Sequence, residues 1–113
     1  MEWIGKCYST NLEWQEFGNP LFQGGRNGNY SDFRNIAAQA LRLFPDRTLT
    51  VLKCISEDKS VVLEQEWKGT LAVTAGTHQK GEISEFRIVS LFELEQGLIV
   101  KQRDYISHTP VKI

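Results

Sequence analysis

Asp104 stands in the stretch LIVKQRDYIS, Leu98–Ser107, where polar and apolar residues alternate as they do along a β-strand. Successive strand side chains point to opposite faces. Leu98, Val100, Gln102, Asp104 and Ile106 therefore share one face, and Ile99, Lys101, Arg103 and Tyr105 the other. The first set is mostly apolar. A carboxylate held there loses water, which favours its neutral form and lifts its pKa above the ordinary value of about 3.9. Such a group can take or give a proton near neutrality. The structural alternative is an Asp104 that accepts hydrogen bonds from backbone, Tyr or Trp donors, or pairs with a cation, and so holds the sheet. Parity alone leaves both open.

Other residues join Asp104 by the same period. In NLEWQEF, Asn11–Phe17, the inward position of Leu12 brings Trp14 and Glu16 with it, so Glu16 is either a second inner carboxylate or a rim residue in solvent. Trp14 either packs as core or uses its indole N–H to orient a ligand. If EQG closes a hairpin, Leu94 faces Leu98, Ser90 faces Gln102, Ile88 faces Asp104 and Phe86 faces Ile106. In the middle strand Val61, Leu63, Gln65 and Trp67 alternate with Val62, Glu64, Glu66 and Lys68. Gln65 and Trp67 are placed inside, although a slip of one residue would bring Glu66 inward instead. His78, in a polar connection, and His108, at the end of the last strand, both belong to the type that titrates near neutrality.

These residues need elements to hold them. A helix is expected over residues 31–44: Ser31 is a plausible N-cap, Phe33, Ile36, Ala37, Ala40, Leu41 and Phe44 form one apolar stripe, and Pro45 closes it. At most a stub of helix precedes the first strand, within Trp3–Tyr8. The glycine- and asparagine-rich segment Gly18–Asn29 reads as a loop; it lacks the Lys-Ser/Thr of a P-loop and the spacing of a dinucleotide fingerprint. Strands are expected at Thr48–Ser56, Ser60–Thr74, Glu82–Leu94 and Leu98–Ser107, with EDK and EQG as three-residue hairpin loops. A helix followed by a run of strands implies an α+β fold, a curved antiparallel sheet with the helix packed on one face.

The 113 residues suit one domain, 1–113, and 41% hydrophobic with 24% charged residues is an ordinary globular composition. No apolar run is long enough to cross a membrane. With 13 Lys plus Arg against 14 Asp plus Glu, and no basic cluster, a nucleic-acid partner is not expected. Cys7, Cys54, His78 and His108 lie scattered without metal-ligand spacing, so neither metal nor cofactor is expected. The two cysteines read as reduced thiols, and MEWIGKCYST has no leader pattern, which makes the cytoplasm the expected location.

The order and spacing of several segments resemble the SnoaL-like polyketide cyclases of the nuclear transport factor two-like superfamily. Those segments are YSTNLEWQEFGNPLFQGGR, the FPD that ends the helix, VVLEQEWKGT and LFELEQGLIVKQRDYIS. The resemblance implies a cone-shaped α+β barrel around a pocket for a small, largely apolar molecule, with dimerisation through the sheet's outer face. In those cyclases and the similar limonene-epoxide hydrolases, the aspartate of Arg-Asp-Tyr moves protons, and it matches Asp104. The implied site is Asp104 as the catalytic group, with Trp14, Glu16, Gln65, Trp67, Ile88, Ser90 and Gln102 lining the pocket. The Arg-x-Asp and Tyr-x-Asn pairs of the epoxide hydrolases have no match in EQEWK and Trp14-Gln15-Glu16, nor is a steroid isomerase's inner tyrosine and second aspartate evident. The usual long N-terminal helix is shortened here, which leaves a more open cone or one closed by a partner subunit or the glycine-rich loop.

Overall fold

A computed structural model describes residues 2–18 and 22–108. The chain runs α1 (Glu2–Cys7), β1 (Tyr8–Glu16), β2 (Arg26–Asn29), α2 (Tyr30–Leu43), β3 (Thr48–Glu57), β4 (Ser60–Thr70), β5 (Ile83–Glu95) and β6 (Leu98–His108). The strands form one six-stranded sheet in the order β2-β1-β6-β5-β4-β3. Every neighbouring pair is antiparallel except β1 and β6, which run parallel with Trp14 beside Gln102 and Glu16 beside Asp104. That parallel pair joins the first strand to the last and was not part of the expected antiparallel sheet.

Both hairpin turns are shorter than expected. Glu57 pairs with Ser60 and Glu95 with Leu98, so each turn has two residues. Gln96 (φ 51°) and Gly97 (φ 79°) both adopt positive φ, the combination whose twist matches the flanking strands. In β6 the ladder then skips Val100, which displaces the register by one residue more. Asp104 consequently faces Ser90 rather than Ile88, Gln102 faces Phe92 rather than Ser90, and Phe86 faces His108. The two single-residue offsets sum to two, and a shift of two keeps a strand's faces unchanged. Asp104 and Gln102 thus stay inside, whereas Ile99, not Leu98 or Val100, joins the core. A bulge at Leu52 acts similarly in β3: Val51 and Leu49 pair with Gln65 and Trp67, while beyond the bulge Ile55 stands opposite Val62.

Helix α2 begins one residue earlier than expected, because Asn29 rather than Ser31 caps it. The Asn29 side chain accepts from the Asp32 N–H at 3.0 Å and the Asp32 carboxylate accepts from the Asn29 N–H at 2.9 Å, a reciprocal capping box. Its stripe packs on β1: Phe33 lies 4.8 Å from the Tyr8 ring and 5.7 Å from Trp14. At the other end Phe44 meets Trp67 edge-on at 5.0 Å, and a Cβ on Gly69 would come within 3.1 Å of Phe44. The helix is therefore clamped across the inner face of the sheet. Ile4, Tyr8, Leu12 and Trp14 form the buried cluster, with α1 contributing Ile4.

Two segments expected as loop and strand exchange character. Arg26–Asn29, within the expected loop, pairs with Glu13–Glu16 as β2. Nothing in RNGN favours a strand intrinsically; the unpaired edge of β1 imposes it. Conversely β4 stops at Thr70, and the chain to Gly81 folds back through Leu71, whose N–H bonds Glu82 and whose carbonyl accepts from Gly81.

Candidate functional site

The inner face gathers polar side chains in the middle of the apolar one. Asp104, on β6, is 8% exposed and accepts four hydrogen bonds. The Trp14 indole donates to Oδ2 at 2.9 Å, the Ser90 hydroxyl to Oδ1 at 2.6 Å, and the Gln102 amide to both oxygens at 3.0 Å. Each donor comes from a strand flanking Asp104 or from β6 itself. The donors are themselves oriented from behind. Gln65 donates to Ser90 Oγ at 3.0 Å, and the Tyr8 hydroxyl donates to Gln102 Oε1 at 2.5 Å. Every bond in this chain points its hydrogen toward Asp104, which fixes a single direction of polarity.

Burial pushes the Asp104 carboxyl above the usual carboxylate range. The bonds from Ser90, Trp14 and Gln102 pull against that rise and the nearby Glu16 charge adds to it. No cation touches the carboxylate among the described residues, so neutral donors carry the whole compensation. Burial likewise pushes the Tyr8 phenol up, helped by the charge of Asp104, so Tyr8 remains a hydrogen-bond donor at neutral pH.

Glu16 lies inside, not at the rim, at 5% exposure. Arg26 chelates it through Nε and Nη2, both at 2.9 Å, and is stacked over Phe22 at 3.8 Å and Trp14 at 5.6 Å. An open groove of about 560 Å³ runs along the outside of this pair, lined by Gly25, Arg26, Asn27, Asp32, Asn35 and Ile36. Arg26 thus separates the groove from the buried acids.

Of the expected site residues, the structure unites Trp14, Gln65, Ser90 and Gln102 with Asp104 in one network and places Glu16 beside it. Ile88 sits one step along β5, between Gln65 and Ile106, and forms apolar wall instead of facing Asp104. Trp67 shares the face but stands apart from the acid, packed between Phe44 and Phe86 at 5.0 and 5.6 Å. His78 is paired with Glu82 at 2.9 Å in the exposed connection; the side chain of His108 lies outside the described residues. Tyr8 and Arg26 were not expected at the site. Tyr8 was hidden in the supposed helical stub, and Arg26 in the supposed loop. Among the described residues no three His, Cys, Asp or Glu side chains converge to hold a metal, and no helix is long and apolar enough to cross a membrane.

The model of the SnoaL-like polyketide cyclases matches residues 17–111. The chain belongs to that family. Solved structures of similar proteins share the SnoaL-like fold at low identity. AclR, a candidate hydroxylase from Streptomyces galilaeus, superimposes with a TM-score of 0.76 at 20% identity over 93% of this chain and 66% of AclR. IdmH, a candidate polyketide cyclase from Streptomyces antibioticus, gives 0.77 at 16% identity over 93% of this chain and 78% of IdmH. A SnoaL-like polyketide cyclase from Agrobacterium tumefaciens gives 0.71 at 13% identity over 93% and 76% of the two chains. This SnoaL-like chain thus spans about two thirds of AclR. No curated protein matches its sequence.

The network makes opposed predictions for two single substitutions. Trp14→Phe removes a donor from Oδ2 and should raise the Asp104 pKa, while Glu16→Gln removes a like charge and should lower it. Titration of the Asp104 carboxyl by carbon NMR in each variant tests both directions; equal shifts would mean that neither group senses the carboxylate.

Proposed function

We propose that this SnoaL-like domain, residues 1–113, holds a small and largely apolar carbonyl compound against its inner sheet face. Asp104 exchanges a proton with the carbon next to the carbonyl, without a cofactor. The observation that carries the reading is a buried carboxylate, raised by desolvation and fixed by four hydrogen bonds from three neutral donors, with no cation beside it among the described residues. Such a group changes protonation at low cost in either direction, which general acid–base catalysis requires. Trp14 and Ser90 set its position, Gln65 and Gln102 set theirs, Glu16 tunes its charge, and Ile88 and Trp67 supply apolar wall. The domain self-associates through its sheet, and the exposed free thiols of Cys7 and Cys54 suit the reducing cytoplasm.

The second reading is a non-catalytic binding module for a small apolar ligand or a protein partner. It draws on the same geometry: both oxygens of Asp104 are engaged, and among the described residues no second acid or base is hydrogen-bonded to them. An apolar cyclic ketone such as 2-tetralone, mixed with the protein in deuterium oxide, separates the two. Loss of the α-proton NMR signal faster than in buffer supports proton transfer; broadened ketone lines without exchange support a binding module. An Asp104 that titrates below ordinary carboxylates, with no exchange, overturns the proton-transfer reading.

A further inference from the structure

The hydrogen bonds around Asp104 leave no vacancy for a proton. A carboxylate offers about four lone-pair sites, and four bonds occupy them: Ser90 and Gln102 on Oδ1, Trp14 and Gln102 on Oδ2. A proton can enter only where a donor turns away. The Trp14 indole is a donor alone, and the Gln102 amide keeps its N–H groups on Asp104 because Tyr8 donates to its oxygen. Ser90 differs from both. Its hydroxyl donates and accepts, so it can swing off Oδ1 and accept from a protonated Asp104.

That swing needs a new acceptor for the Ser90 hydrogen. Gln65 is the neighbour in reach, but its Nε2 donates to Ser90 Oγ at 3.0 Å, and the turned hydroxyl would meet it donor to donor. A half-turn of the Gln65 amide exchanges its nitrogen and oxygen and removes the conflict. Nothing on the far side holds the amide in its present sense, because Gln65 Oε1 accepts from no other described residue. Nor is that oxygen sealed in: among the described residues, Arg47 Nη1 is the one fully buried side-chain polar atom without a partner. The register supplies the path. Asp104 stands directly opposite Ser90, and Gln65, two residues beyond Ser90's partner Leu63, lies diagonally from Ser90 on the same face.

We propose that Gln65 is a reversing positioning residue: its amide donates to Ser90 while Asp104 is ionised and accepts from Ser90 once Asp104 is protonated. This rests on the proton exchange at Asp104 proposed above. In that exchange the C–H bond beside the carbonyl breaks, its electron pair passes to the carbonyl oxygen as an enolate, and the proton forms an O–H bond at Oδ1. Ser90 turns, and Gln65 follows. Redelivery of the proton to carbon reverses each step. Tyr8, Gln102 and Trp14 thus hold the carboxylate in place, whereas Ser90 and Gln65 follow its charge. The titratable groups that face the acid, Glu16 and Tyr8 on β1, with Arg26 of β2 holding Glu16, stay as they are in both senses.

Gln65→Met separates this device from a fixed donor. Loss of a fixed donor would weaken the bond from Ser90 to the carboxylate and raise the Asp104 pKa. Loss of a reversing partner falls on the protonated state, in which the turned Ser90 hydroxyl would have no acceptor. The Asp104 pKa in Gln65→Met should therefore fall by about one pH unit, tenfold in proton affinity, in a carbon NMR titration that needs no ketone. The pH of half-maximal exchange on 2-tetralone should fall with it. In a Ser90→Ala background, Gln65→Met should leave the Asp104 titration unchanged, since the path runs through Ser90. The parent gives a second readout without any substitution: the nuclear Overhauser contact between the Gln65 amide protons and the Ser90 β-protons should be present above the Asp104 midpoint and lost below it. An Asp104 pKa that rises or stays put in Gln65→Met, or a contact that persists through the midpoint, overturns the reversal. A pKa that falls in a protein that exchanges no proton on the ketone supports the reversal and overturns proton transfer instead.

Discussion

Asp104→Asn should abolish proton exchange on the ketone, by about 10²- to 10⁴-fold, while the ketone still binds within a few-fold of the parent. Asn fills the same volume and keeps one oxygen for the Trp14 indole, so the shape of the inner face is retained. It cannot take up a proton at neutral pH. Its amide also meets a conflict: Ser90 can reorient to accept, but Gln102 is held as a donor because its oxygen already accepts from Tyr8. One unfavourable donor–donor contact of about 1–3 kcal/mol is therefore expected alongside removal of the buried charge.

The same variant has a signature in stability. The folded-state pKa of Asp104 lies above its unfolded value, so the protein binds this proton more tightly folded. The contribution is complete below the unfolded pKa and is lost as pH rises through the folded one. Each unit of separation corresponds to about 1.4 kcal/mol. Urea unfolding from acid to neutral pH should show the parent losing stability over that window and Asp104→Asn lacking that component. Equal slopes for the two proteins, with unchanged exchange, would leave Asp104 as a structural residue.

The inner position of this carboxylate was legible from alternation alone because strand parity survives a shift of two. Its neighbour was not. Hairpin length and the extra residue at Val100 depend on twist and on how β6 fits against β1, and neither leaves a mark in the local pattern. Ser90 therefore replaced Ile88 opposite Asp104, turning an apolar neighbour into a hydrogen-bond donor. Gln65 was placed inside by the same reasoning and proved to be one step removed, behind Ser90. Arg26 was lost for a different reason: a four-residue strand of Arg, Asn and Gly has no strand propensity, and only the edge of β1 makes it one. The parallel pairing of β1 with β6 joins segments some ninety residues apart, beyond the reach of any period in the sequence.

Arg26→Ala should cost about 2–4 kcal/mol, the second large effect. Removing one partner of a buried pair typically costs about 3–5 kcal/mol because the other charge is left in the interior. Glu16 is buried, but the Arg26 side chain is 27% exposed, and water can compensate part of the loss. The substitution also takes the guanidinium plane from between Phe22 and Trp14. For a domain of this size the change corresponds to a fall in Tm of about 10–20 °C. Arg26→Lys should recover only part of it, since an ammonium cannot match both carboxylate oxygens in one plane. A loss below about 0.5 kcal/mol would mark the pair as an ordinary surface bridge. The functional consequence follows from adjacency: Glu16 raises the Asp104 pKa even while Arg26 compensates it, so without the cation Asp104 should hold its proton more tightly still. The pH at which proton exchange on the ketone is half-maximal should then move upward in Arg26→Ala and downward in Glu16→Gln, which ties the buried ion pair to the chemistry of the acid beside it.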